Sequence, residues 1–458
     1  VSHVRSGHDP AGGPQPAKAG LTNLPANEAH PMTTVNNTMA PATRSSLTRL
    51  ACVTVLTGVV AGLGGMGLAL LLHFIQHVGF GYDMYQWHGA KSFLEGVSGT
   101  TPARRVAALG VCGLVAGIGW WIVYGFCKPL VSIRKAVSSG DHQMPLTTTL
   151  LHALLQIVTV ALGSPLGREV APRELAAVLA GKLARAARLT GEETRVMVAC
   201  AAGAGLAAVY NVPVGGMLFT LEALLGSFRV SSLLPAMATS VIAAMVAWIG
   251  LGDISQYVLP QLAISPSLVA WSVTMGPLFG AAAYGFSKSS AQSRGHAPRD
   301  WRIVPSCLVL FTALGGASVF YPALLGNGKG PLQLSLFNDM TTGLAAVLFT
   351  LKFVFIMGSL RAGAEGGLLT PGMTLGAMLA TVAGSVWGLA FPAIEPASLA
   401  IIGAGAFLAS SMNMPVTAVV LVFEFTRFSH DFFYPMLLAV AGSYATYTWL
   451  SRRGAARP

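Results

Sequence analysis

From about residue 50 to residue 450 the chain is a train of apolar segments of unequal length, and that irregularity constrains its fold more than any other feature. Some segments are ample for a bilayer: 50–78, 106–126, 233–251, 268–286 and 344–359. Others are short or broken by Gly and Pro: 150–162, 171–183, 199–212, 369–379 and 400–412. A plain bundle of spanning helices would repeat runs of about 20 residues. Short, interrupted segments imply helices that stop inside the membrane, which is tolerated only where protein or water covers the freed backbone. Transporters use such ends to face a substrate near the bilayer midplane.

Composition supports a bilayer setting. Of 458 residues, 53% are hydrophobic and 10% charged, where soluble domains carry roughly 25% charged residues. The 53 glycines suit closely packed membrane helices. These values exclude a soluble enzyme, a nucleic-acid-binding module and a disordered scaffold. The formal charge of +11 resides in short clusters such as Arg104–Arg105, Arg134–Lys135, Lys182 with Arg185 and Arg188, and Arg452–Arg453. They read as cytoplasmic loop determinants under the positive-inside rule, not as a nucleic-acid surface. The five cysteines are isolated and form no Cys-x-x-Cys pair, so neither a metal site nor a disulfide framework is expected, and no cofactor is implied. Residues 1–45, rich in Pro, Gly, Ser, Thr and Asn, read as a disordered tail. Residues 46–250 and 251–452 read as two halves of a membrane domain, and 453–458 as a short basic tail.

The halves repeat. Residues 202–214 (AGAGLAAVYNVPV) set beside 404–416 (AGAFLASSMNMPV) align Gly203 with Gly405, Leu206 with Leu408, Asn211 with Asn413 and Pro213 with Pro415. Nine residues after each Pro stands a glutamate, Glu222 and Glu424. Upstream, Gly163 and Gly167 match Gly363 and Gly367. Paired halves of this kind usually meet at a substrate site.

The densest charge within apolar surroundings is GSPLGREVAPRE, residues 163–174. Glu169 stands where a short apolar helix begins, and a helix start offers unpaired N–H groups and a positive dipole end. A carboxylate there acts as a tethered anion filling a place a free anion would take, or else Glu169 and Glu174 are ordinary first-turn acids. The matching element is GAEGGLLTP, 363–371, where Gly366 and Gly367 free backbone N–H groups to face a ligand. Two such starts converging would hold a small anion. An intramembrane enzyme needs a nucleophile and base on facing helices. The apolar-embedded histidines His73, His77 and His152 accompany no such pair, and Ser164 has no evident base.

These blocks resemble the CLC family of chloride channels and chloride/proton antiporters. Residues 167–171 (GREVA) stand where that family has Gly-Arg-Glu-Gly-Pro, and GGLLTP at 366–371 is similar to its Gly-x-Phe-x-Pro block, with Leu369 in place of the Phe. Segments 202–222 and 403–426 resemble the helices that follow. The resemblance covers about 50–450 and implies an all-α membrane protein, an inverted repeat of many short, tilted, partly discontinuous helices. It implies a homodimer in a bacterial inner membrane, moving chloride or another small anion, with protons as the second partner. It further implies Glu169 as the gating and proton-accepting group, with Gly167, Arg168, Val170, Leu368 and Leu369 along the anion path.

Several positions depart from the family. Counting back 41 residues from Glu169 puts Lys128 where the family has a chloride-binding serine. Lys128 is expected either to pair with Glu169 or the anion, or to reach the cytoplasmic interface. The antiporters' inner proton-transfer glutamate aligns with Ala223, one residue past Glu222. Glu222 is a doubtful member of the proton path, and its counterpart Glu424 suggests a structural role for both. The family's last chloride-binding tyrosine aligns near Ala456, leaving Tyr444 and Tyr447 as nearest candidates. The block of the fluoride-selective branch is absent, and no nucleotide-binding regulatory pair is expected after the last membrane segment. A surviving gating glutamate favours proton-coupled antiport, while Ala223 favours a passive channel.

Overall fold

The computed structural model describes residues 46–82, 92–138, 143–260, 262–337 and 339–455. The chain divides into two units, Val1–Thr43 and Arg44–Pro458; the described residues belong to the second. The tail expected at 1–45 and the last residues, 456–458, lie outside them.

Among the described residues there are seventeen α-helices and no strand. The first half holds α1 (Leu47–Phe80), α2 (Phe93–Ser98), α3 (Pro102–Phe126), α4 (Ile133–Ser138), α5 (Leu146–Ala161), α6 (Val170–Ala186), α7 (Gly191–Tyr210), α8 (Pro213–Leu218) and α9 (Val230–Leu251). The second holds α10 (Pro266–Gly295), α11 (Ile303–Phe320), α12 (Lys329–Leu336), α13 (Thr342–Ala362), α14 (Leu369–Trp387), α15 (Pro396–Ser411), α16 (Pro415–Thr426) and α17 (Phe433–Ala455). Six of these, α1, α3, α9, α11, α13 and α14, are long and apolar enough to cross a membrane. Shorter apolar helices, α5, α15, α16 and α8 with its π-helical extension to Leu225, stand among them. The protein is an integral, multi-pass membrane protein.

Of the boundaries that differ from the apolar pattern, three have a clear local reason. Helix α7 starts eight residues before the apolar run, because Thr190 and Glu193 form a capping box that carries a polar turn into the helix. Helix α14 runs on to Trp387, and 78% of its most apolar stretch is buried inside the protein. A helix covered by protein can carry Thr374 and Thr381, whose hydroxyls return to backbone carbonyls one turn back. Helix α17 continues through Arg452 and Arg453, so residues 453–455 are its last turn rather than a tail. The Arg453 guanidinium lies 3.9 Å over the Trp449 ring. Arg104 and Arg105 also prove to be more than loop charges. Arg104 donates to the carbonyls of Val78 and Gly79 at the end of α1, and buried Arg105 donates to that of Ser318.

The Asn-x-Pro element of each repeat acquires a physical meaning. Asn211 (φ +57°) and Asn413 (φ +54°) adopt the left-handed conformation that ends the preceding helix, which asparagine tolerates better than most residues. Pro213 and Pro415 then open α8 and α16, where a missing N–H costs nothing. Helices approach closely at glycines: a Cβ on Gly203 or Gly216 would run into the other's carbonyl, and Gly376 and Gly403 stand in the same relation.

Candidate functional site

Two interrupted helices begin at one place. Glu169 precedes α6 and Leu368 precedes α14. Just before them, Gly167 and Gly367 form an antiparallel bridge, the N–H of Gly167 donating to the Gly367 carbonyl at 2.7 Å and the reverse at 2.9 Å. The two halves of the chain are thus joined by backbone where their helix starts meet. A Cβ on either glycine would collide with the Glu169 carboxylate, so the carboxylate holds this place only while both positions lack a side chain.

The Glu169 side chain crosses to the other helix start. Its Oε1 accepts the Leu369 N–H at 2.8 Å, one of the groups a helix cannot satisfy internally. Its Oε2 accepts the Tyr210 hydroxyl at 3.3 Å, and the Tyr210 oxygen lies 3.1 Å from Thr370 Oγ1. Glu169 is 1% exposed, and among the described residues no cation stands within 4 Å of its carboxylate. A buried carboxylate is held here by N–H and O–H donors at a helix N-terminus, the surroundings that suit a halide equally well.

Arg168 turns away, its guanidinium 5.3 Å from the Tyr210 ring centre. It lines a cavity of about 580 Å³ together with His73, Tyr257, Lys329, Tyr210 and Thr370. The last two connect this basic vestibule to the carboxylate's position. The loop before α14 is fixed by Glu365, which pairs with Arg294 and accepts the Tyr124 hydroxyl at 3.2 Å. Arg294 also donates to the Gly366 carbonyl at 2.9 Å. A second clamp comes from Lys352, 1% exposed in α13, whose ammonium donates to the carbonyls of Leu324 and Gly326. The Gly326 N–H in turn meets the Gly163 carbonyl at 3.0 Å.

The structure gathers Gly167, Arg168, Glu169 and Val170 with Gly367, Leu368 and Leu369. It does not bring Lys128 there. Lys128 is exposed between α3 and α4, its carbonyl accepts the Thr148 hydroxyl at 3.1 Å, and the ion pair with Glu169 is not formed. Neutral donors already satisfy that carboxylate. Glu222 has both oxygens engaged at the start of α16, by the N–H groups of Val416 (3.0 Å) and Thr417 (2.6 Å) and by the Thr417 hydroxyl. Glu424 reciprocates, accepting Val214 N–H at 2.9 Å and Gly215 N–H at 2.6 Å at the start of α8. Tyr447 packs on Tyr284, ring centres 6.3 Å apart, and the Tyr444 hydroxyl donates to Asn413 at 3.0 Å. Neither reaches Glu169; Tyr210 does. The signal for Tyr210 lay in the repeat, where it is a tyrosine opposite Met412 in an otherwise matching apolar stretch.

The family model described as voltage gated chloride channel matches residues 112–448. The voltage-gated ClC-type chloride channel ClcB of Salmonella typhi is 26% identical over 391 residues, covering 80% of this chain and 90% of that one. A putative chloride channel protein, ClcB-like, of Ralstonia nicotianae is 27% identical over 354 residues, covering 73% and 80%. Among solved structures, a slow cyanobacterial Cl−/H+ antiporter superposes with a TM-score of 0.73 at 18% identity, over 89% of this chain and 98% of that chain. A CLC-type fluoride/proton antiporter gives a TM-score of 0.63 at 19% identity, over 88% and 96%. With the matched region spanning the paired helix starts and both Asn-x-Pro elements, the chain belongs to the CLC family of voltage-gated chloride channels and related transporters.

Proposed function

We propose that this protein carries chloride across a bacterial inner membrane in exchange for protons, as a homodimer, with Glu169 as both gate and proton carrier. The observation that supports this best is the carboxylate of Glu169 seated on the Leu369 N–H and the Tyr210 hydroxyl. An ionised Glu169 competes with a free anion for those donors. Protonation removes its charge and with it most of the attraction to the helix start, so the side chain leaves and chloride takes its place. Return of the carboxylate expels the anion and releases the proton on the other side. Arg168 and Lys329 in the vestibule raise the local anion concentration at the mouth.

A passive channel is the second reading, favoured by Ala223. It stands half-buried in an apolar cluster and offers no ionisable group where antiporters resembling this chain carry one. Purified protein in chloride-loaded liposomes, read with chloride and pH electrodes together, separates the two. Protons driven uphill by a chloride gradient, and lost in Glu169→Gln while chloride flux persists, support exchange. Chloride flux without proton movement supports the channel.

A further inference from the structure

Among the described residues two carboxylates are buried to under a tenth of their surface, Glu169 (1%) and Glu174 (5%). Glu174 stands in α6 five residues after Glu169, which caps the start of that helix, about 7.5 Å of axial rise away. Helix α6 runs from Glu169 towards Lys182 and Arg185, the cluster that the positive-inside rule places in the cytoplasm. Glu174 therefore lies on the cytoplasmic side of Glu169. Its Oε2 is 2.6 Å from Nδ1 of His152 on α5, itself 4% exposed, and the Gln156 amide nitrogen lies 3.3 Å from the same oxygen.

The surroundings are polar. His152 Nε2, Gln156 Oε1, Trp120 Nε1 and Arg173 Nε are all buried without a hydrogen-bond partner, the condition in which ordered water normally completes a buried network. The Trp120 ring of α3 meets His152 edge-on at 5.0 Å, with Tyr124 stacked behind it. Arg173 interacts electrostatically with Glu169 and Glu174, and Arg134 of α4 acts on Arg173. Helix α1, the remaining element packed on α5, presents Leu68 and Leu72. A buried carboxylate–imidazole pair with one free ring nitrogen is equipped to take up a proton and hand it on.

We propose that the Glu174–His152 pair is the proton-receiving site on the cytoplasmic side of Glu169, a proposal that rests on the antiport reading. The step balances. A proton from the cytoplasmic side binds His152 Nε2, and the proton on Nδ1 passes to Glu174 Oε2. The imidazole stays neutral, now protonated at Nε2, the carboxylate becomes a neutral acid, and the pair changes from −1 to 0. The acid proton then crosses the remaining rise to the Glu169 carboxylate through intervening water, restoring ionised Glu174, and exchange of the imidazole proton from Nε2 back to Nδ1 through water returns the pair to its starting state. Glu222 and Glu424 are unsuited to this task, since their oxygens hold backbone N–H groups of the opposite half.

Uphill proton pumping and chloride flux are measured in liposomes for the wild type, Glu174→Gln, Glu174→Asp and the double variant His152→Gln/Glu174→Gln, which keeps volume and neutral hydrogen bonding should the single change fold poorly. The proposal expects proton transport to fall about tenfold or more relative to chloride in both Gln variants and to recover in Glu174→Asp. Folded Gln variants with an unchanged proton-to-chloride ratio overturn it. Proton and chloride transport falling in equal proportion also overturns it, because that marks a structural role. A wild type that moves chloride without protons refutes the antiport reading, and the proton site with it, and is recognisable before any variant is made.

Discussion

The crossed glutamates Glu222 and Glu424 supply the sharpest test of how the two halves are held together. Replacing Glu424 by Gln keeps one carbonyl oxygen for either Val214 N–H or Gly215 N–H, but turns an NH₂ group towards the other. A hydrogen bond to a charged group contributes about 1.5–3 kcal/mol, and a carboxylate at a helix N-terminus adds about 0.3–1 kcal/mol. Losing one bond and the charge therefore costs about 2–4 kcal/mol. Glu222→Gln, with the Thr417 hydroxyl as a third donor, loses at least as much. Equilibrium unfolding of purified protein in mixed detergent, followed by tryptophan fluorescence, measures both variants and the double. Because the two carboxylates clasp the same pair of helices, the double variant is expected to lose less than the sum. A Glu424→Gln stability within about 0.5 kcal/mol of wild type, the range of an uninvolved surface change, refutes the clasp. Transport lost at unchanged stability would return Glu222 and Glu424 to the ion path.

Other consequences are equally direct. Gly367→Ala places a methyl group against the Glu169 carboxylate; the side chain is displaced, and chloride flux in liposomes becomes independent of pH. Tyr210→Phe removes one of the two donors to Glu169 and, in a Glu169→Gln background, weakens chloride binding by about tenfold to a hundredfold in calorimetry, the value of one hydrogen bond to a charged acceptor. Lys352→Met leaves the Leu324 and Gly326 carbonyls without their donor and lowers stability by about 2–5 kcal/mol in the same unfolding assay. In the loop after α9, hydrogen bonds from Asn211 and then Arg427 hold Asp253 below its ordinary 3.8. Its contribution to the Asn211 turn is therefore present above pH 3.8 and is lost only as pH falls through the lower folded value. Amide exchange at Asn211 should be flat from pH 4 to 8 after correction for intrinsic rate.

The helix starts were legible in the sequence because they depend on local chemistry: Gly before the start, an acid at it, and a recurrence of the block two hundred residues later. The Asn-x-Pro elements were legible for the same reason. What the sequence withheld is decided by tertiary approach. Lys128 was placed by counting residues, yet the segment between α3 and α4 leaves it in the open. Tyr210 reaches Glu169 because α7 ends beside α14, a packing fact that the repeat marks only as a tyrosine opposite Met412. His152 has no partner legible in the sequence; α6 brings Glu174 against it. The length of α14 was hidden because burial by protein, rather than lipid, relaxes the demand for an unbroken apolar run.

The central claim is that the Glu169 carboxylate occupies an anion site. Crystals of Glu169→Ala grown in bromide, with data collected at the bromine absorption edge, test it most directly. The account predicts an anomalous peak between the Leu369 N–H and the Tyr210 hydroxyl, where the carboxylate oxygens stand in the wild type. Well-ordered crystals with no peak at that position, or with bromide bound only beside Lys128, would contradict it.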